Sequence, residues 1–209
     1  VTLSGWIILL LAALPSIIFH EVAHGYVAYH FGDPTAKNAG RLTLNPLKHI
    51  DPFGTVILPV LLALAGLPVV GYAKPVPVDV RRLRHPRNES VYVALAGPLT
   101  NVALVVVATI LCKVLLATNV GANSDLLLFG LDLGIVNMFL AVLNMLPIPP
   151  LDGSAVVERL VPRRHLGGYF RLRARALPFA MIALLILIYT GAGNRVMADL
   201  QNWWFGLLS

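Results

Sequence analysis

The chain has 209 residues, 57% hydrophobic and 12% charged, about half the charge density of a soluble globular protein. That balance argues against an ordinary water-soluble fold. Apolar residues gather into runs at 3–19, 53–70, 91–112, 126–146 and 177–190, several of them close to the roughly 20 residues a helix needs to cross the hydrocarbon core. The net charge of +6 does not point to nucleic acid. Its main clusters, Arg81, Arg82, Arg84 and Arg87, then Arg159, Arg163, Arg164, Arg171, Arg173 and Arg175, abut apolar runs, as the positive-inside bias of membrane proteins requires. The single Cys112 excludes an intrachain disulfide and a multi-cysteine metal site.

In chain order, the pattern is helical from Leu3 to about Phe31, with Pro15 inside and Gly32-Asp33-Pro34 as the stop. The run lacks the basic start of a signal peptide. Residues 41–44, Arg-Leu-Thr-Leu between Gly40 and Asn45-Pro46, predict a short strand and turn at the membrane surface. Gly54, Pro59, Gly66 and Pro68 interrupt the run 53–70. It reads either as a re-entrant or surface-lying hairpin or as a further complete span. Pro75, Pro77 and Pro86 make 71–90 an extended charged connector. Two clear spans follow at 91–112 and 126–146, then the proline-rich 146–153, a short helix from Ser154 to Leu160, a basic connector and a short span at 177–190. The tail predicts an interfacial helix anchored by Trp203 and Trp204.

With both arginine clusters on the cytoplasmic side, the spans at 91–112 and 126–146 form an outward-and-return pair that leaves 147–153 facing the cytoplasm. The fold expected is therefore an all-α polytopic membrane protein. It has about four full transmembrane helices, a re-entrant or interfacial hairpin and a small membrane-surface β element. Residues 1–209 read as one domain, with a core at about 3–160 and a C-terminal helix and tail at 161–209.

The strongest chemical signal is His20-Glu21-Val22-Ala23-His24. On a helix, positions i and i+4 share a face, so two imidazoles can bind one zinc while the neighbouring carboxylate takes a proton from a water. Two histidines and a glutamate in an apolar helix are costly without a partner, which weighs against chance or simple interhelical bonding. A third ligand is needed, and Asp152, released from helix by Pro147, Pro149 and Pro150, is the best candidate. Its competing role is a helix N-cap. Asp125 and Asp132 sit near the opposite end of the same span, at the wrong depth. Asn144 and Asn101 are candidates for substrate binding or oxyanion stabilisation, or equally for interhelical hydrogen bonding. Gly25, Ala23 and Ala28 permit close backbone approach. His30 lies some 240° around the helix from His24 and reads as a membrane-edge residue, and His49, His85 and His165 fall in connectors.

His-Glu-Val-Ala-His at 20–24, Ala-Gly-Pro-Leu-Thr-Asn at 96–101 and the stretch from Asn144 through Pro147, Pro149, Leu151, Asp152 and Gly153 together resemble the site-2 protease family of intramembrane zinc metalloproteases. The connectors at 39–54 and 71–78 resemble its compact branch, without PDZ or CBS domains. The resemblance implies zinc held by His20, His24 and Asp152, Glu21 as general base, and Asn101 and Asn144 assisting substrate or oxyanion. It implies hydrolysis of a peptide bond within or near a transmembrane segment of a protein substrate, in the cell membrane, toward the cytoplasmic side. Many relatives carry a helix before the zinc-binding one, which this chain departs from. Residues 41–44 could pair with an unwound substrate and 53–70 could gate it. The alternatives are a zinc or proton-coupled transporter, which the lack of a visible repeat disfavours, and a catalytically silent scaffold, which Glu21 disfavours.

Overall fold

The computed structural model describes residues 3–64, 73–118, 124–189 and 191–208. In order the helices are α1 (Leu3–His30), α2 (Thr35–Asn38), α3 (Leu58–Leu64), α4 (Pro86–Ala117), α5 (Asp125–Asn144), α6 (Ser154–Leu160), α7 (Leu166–Tyr189) and α8 (Gly191–Leu208). A π-helical turn, Pro52–Ile57, leads into α3, and single 3-10 turns lie at Pro46–Lys48, Val80–Arg82 and Arg163–His165. Among the described residues, α1, α4 and α5 are long and apolar enough to cross a membrane. Their outward sides are apolar too: Leu10, Leu11, Leu99, Val106, Ile110 and Leu126 are each more than half exposed. Helices that are hydrophobic all round need lipid as their solvent.

These three helices pack on one another. One core cluster joins Ala12 of α1 to Ala108, Cys112 and Leu115 of α4, Leu127, Leu133 and Met138 of α5, and Trp204 of α8. Toward the other end, Ala28 packs with Leu83 and Val93. Early α1 thus meets late α4 and early α5, so α1 runs antiparallel to α4 and parallel to α5. Past α1 the chain turns at Gly32, whose φ of 106° suits glycine. The fully buried Asp33 carboxylate then accepts from the Thr35 N–H at 3.0 Å and the Asp79 N–H at 2.7 Å. The Arg41 guanidinium donates to the carbonyls of Lys74 and Pro75, at 2.6 and 3.3 Å, and the Lys74 N–H to the His49 carbonyl at 2.9 Å. The extended residues 73–79 are thereby lashed across the end of α1.

Several expectations change. No strand exists among the described residues, so the β element at 41–44 is not formed. Its main-chain groups are spent elsewhere: the Arg41 N–H on the Ala36 carbonyl, and the Thr43 carbonyl on His49 Nε2. Asn45 caps the 3-10 turn that Pro46 begins. The run 177–190 falls in the second half of α7, whose first half carries Arg171, Arg173 and Arg175. Thr190 lies outside the described residues, as does 65–72, so the return limb of the 53–70 hairpin, and with it the proposed gate, is not described. Helix α4 begins at Pro86, inside the region read as connector, because proline at the first helical position costs no hydrogen bond. In α8, Trp203 is exposed but Trp204 is fully buried. Trp204 packs on Gly134 of α5, where a Cβ would fall 2.1 Å from Cζ2, so it is a core residue and not an interfacial anchor.

Candidate metal centre

His20 and His24 lie on the inward face of α1 and both are buried. The loop after α5 brings Asp152 to them. The Gly153 N–H donates to the Asn144 carbonyl at 2.7 Å, and the Leu151 N–H to the Ile148 carbonyl at 2.9 Å. A side chain at 153 would place its Cβ 2.3 Å from the Met145 carbonyl oxygen, so only glycine permits this fold-back. The Asp152 side chain makes no capping bond to α6 and instead faces the imidazoles. Oδ2 lies 3.2 Å from His20 Nε2 and 3.4 Å from His24 Nε2, and the two Nε2 atoms are 3.1 Å apart. Four ligands at zinc distances around one ion stand about 3.3 Å from each other, so this triangle matches one face of that tetrahedron.

The outer faces of the rings decide what the inner faces can do. His20 Nδ1 donates to Asn101 Oδ1 at 2.5 Å and His24 Nδ1 to the Val93 carbonyl at 2.7 Å. Both Nε2 atoms of the neutral rings then carry lone pairs. Asp152 Oδ2 is buried with no donor. Three acceptors aimed at one point repel unless a metal cation or a shared proton lies among them, and the donor set fits a divalent ion with nitrogen and oxygen ligands. Among the described residues these three form the one group placed to hold a metal.

Glu21 lines the adjoining cleft of about 580 Å³ with His20, His24, Asn144 and Asp152. Glu21 Oε2 accepts the Val76 N–H at 2.8 Å. Asn144 uses one amide hydrogen on the Leu140 carbonyl at 3.1 Å. Asn101 is elsewhere: fully buried behind His20, it donates to Asn137 Oδ1 at 2.7 Å and does not line the cleft. His30 is exposed and packs its ring on Phe31, and Asp125 sits in the first turn of α5, far from the site along the helix.

Three contributors receive no role from the sequence motifs, although Gly97 lies within the one at 96–101. Gly97 of α4 faces both rings, and a Cβ there would fall 2.5 Å from His20 Cε1 and from His24 Nε2. Asn137, one of the few polar residues in a largely apolar span, carries a usable signal. The Val76 amide, a backbone group in a proline-rich connector, carried none. Gly25, flagged for close approach, meets Leu42 and Val76, where a Cβ would fall 2.6 and 2.7 Å away.

The profile of Peptidase family M50 matches residues 122–188, the portion holding Asn144 and Asp152. "Putative zinc metalloprotease YwhC" of Bacillus subtilis is 38% identical over 202 residues, covering 93% of this chain and 85% of that protein. Rip2 of Mycolicibacterium smegmatis, similarly named, is 33% identical over 97% of this chain and 72% of its own length. MJ0611 of Methanocaldococcus jannaschii is 34% identical over 73% and 70%. No solved structure matches the chain. With a relative of this identity matched along nearly its whole length, and with the geometry above, the chain belongs to peptidase family M50, the site-2 protease family of zinc-dependent metalloproteases.

Proposed function

We propose that the protein hydrolyses a peptide bond within or next to a transmembrane segment of a protein substrate, with His20, His24 and Asp152 as zinc ligands and Glu21 as general base. The observation that carries this reading is the triangle of Nε2, Nε2 and Oδ2 atoms 3.1–3.4 Å apart, opening on a cleft that Glu21 and Asn144 share. A zinc ion bound there supplies Lewis acidity, lowering the pKa of a water and polarising the scissile carbonyl. Glu21 keeps one carboxylate oxygen engaged by Val76, which fixes its orientation, and the other is free to take the proton of the attacking water and pass it to the leaving amine. The remaining amide hydrogen of Asn144 can donate to the developing oxyanion. Asn101 holds the tautomer of His20.

At about 580 Å³ the cleft suits a short extended peptide better than an intact helix of 10–12 Å diameter, so the substrate unwinds locally at the bond to be cut. The arginines at 81–87 and 159–164 gather around the start of α4 and the end of α6, where Arg87 donates to the Arg159 and Val161 carbonyls at 3.0 and 2.7 Å, which supports a centre within the membrane toward the cytoplasmic side. Cleavage of single-span peptides by the full chain in liposomes tests the reading. In Glu21→Gln, zinc is retained and turnover falls about 100-fold or more; equal product formation overturns the assigned base. Asp152→Ala loses the metal, and retention of stoichiometric zinc overturns the ligand set.

A further inference from the structure

Behind the metal triangle lies a run of buried polar groups that the proposed reaction does not itself use. Ser16, Asn101 and Asn137 are completely buried and link α1, α4 and α5. Asn137 Nδ2 lies 2.7 Å from Ser16 Oγ and 2.8 Å from the Leu133 carbonyl. Asn101 Nδ2 lies 2.7 Å from Asn137 Oδ1, and Asn101 Oδ1 lies 2.5 Å from His20 Nδ1. Ser16 Oγ donates onward to the Ala12 carbonyl at 2.7 Å.

The polarity of this run is fixed from one end. A hydroxyl donates or accepts, and an amide side chain can turn over, so Ser16, Asn101 and Asn137 by themselves leave the direction open. The Leu133 carbonyl only accepts. It therefore holds the amide nitrogen of Asn137 on its own side and presents Asn137 Oδ1 to α4. That oxygen demands a donor, so Asn101 turns its Nδ2 toward α5 and its Oδ1 toward His20. An oxygen at that place requires hydrogen on Nδ1 and leaves the lone pair on Nε2. Turned the other way, Asn101 would offer N–H to Nδ1, the ring hydrogen would sit on Nε2, and the metal position would be blocked.

We propose that Asn137 is a positioning residue that acts through Asn101 to hold His20 in its metal-binding tautomer, with the Leu133 carbonyl setting the sense of the chain. The proposal rests on the zinc reading above. Simple interhelical bonding requires contact but no polarity, and the two differ in what substitution does. Asn137→Leu keeps the volume and removes the directional link, leaving Asn101 free to turn over. Asn101→Asp presents an oxygen to Nδ1 in either orientation and makes the link unnecessary.

The test uses the full chain in liposomes or nanodiscs, zinc competition against a chelator of known affinity, and nitrogen NMR of labelled histidine in the zinc-free protein, with His20 assigned by His20→Gln. In Asn137→Leu the zinc affinity falls 10- to 100-fold and His20 changes from one tautomer to a mixture. In Ser16→Ala, where Leu133 still sets the sense, affinity stays within about threefold. Adding Asn137→Leu to Asn101→Asp changes affinity less than about threefold relative to Asn101→Asp alone. Unchanged affinity and tautomer in Asn137→Leu, or a further tenfold loss in the double variant, overturns the proposal. If Asn137→Leu does not fold, Asn137→Ser, which keeps a hydroxyl without fixed polarity, gives the same mixture of tautomers, and a single tautomer overturns the proposal. Failure of the zinc reading appears separately, as an unaltered chain that binds no stoichiometric zinc; the zinc-free spectra then still decide the relay.

Discussion

Replacing Gly97 with alanine adds one methyl group at the most constrained point of the site. Its carbon falls 2.5 Å from both His20 Cε1 and His24 Nε2, and 2.6 Å from His20 Nε2, about 1 Å inside ordinary contact. Neither ring can swing aside without losing its outer bond, to Asn101 for His20 and to the Val93 carbonyl for His24. Relief therefore comes from moving α4 away from α1 by about 1 Å or from displacing both ligands by a similar amount. Overpacking of this kind costs about 1–3 kcal/mol of stability. The effect on function is larger, because metal ligands tolerate only about 0.2 Å of error. Zinc affinity should fall about 10- to 100-fold and cleavage about 100-fold. Chelator competition and turnover of a single-span peptide measure the two effects. Gly168→Ala, whose methyl meets nothing within 4 Å, serves as the control. Zinc affinity and turnover both equal to the unaltered chain in Gly97→Ala would show that close approach of α4 is not what sets the ligand geometry.

Gly134→Ala drives a methyl into the fully buried Trp204 ring; the expected result is a loss of about 1–3 kcal/mol in thermal unfolding, and an unfolding midpoint equal to that of the unaltered chain would show that this contact is not tightly packed. Arg41→Met removes the donor that holds the Lys74 and Pro75 carbonyls. At about 1.5–3 kcal/mol for bonds to a charged group, amide exchange at Lys74, Val76 and Asp79 should rise at least tenfold, while α1, α4 and α5 keep their protection. Treatment with a zinc chelator should abolish cleavage, leave the helical circular dichroism largely intact because the three long helices pack through apolar contacts, and be reversed by added zinc but not by magnesium, whose preference is for oxygen ligands.

Local rules carried much of the site. The i, i+4 spacing puts His20 and His24 on one face of α1 whatever surrounds them, and the prolines before Asp152 break the helix by removing donors and fixing φ. Composition alone called for lipid. Helix α6 begins and ends at Ser154 and Leu160 as its sequence indicates.

What the sequence by itself determined, then, is the apolar, helical character of α1, α4 and α5 and the chemical identity of the candidate metal-binding face, though it led to an expectation of about four full spans where three helices among the described residues are long and apolar enough; burial preference and helical periodicity are properties of short stretches of chain. Only the tertiary structure decided which groups meet across helices. It put Asn101 behind His20 and out of the cleft, Trp204 against Gly134 and away from the interface, and the Val76 amide on Glu21. It also withheld the strand expected at 41–44, since a strand exists only where another segment supplies the opposite half of its hydrogen bonds, and here the Arg41 N–H is bonded to the Ala36 carbonyl and the Thr43 carbonyl to His49.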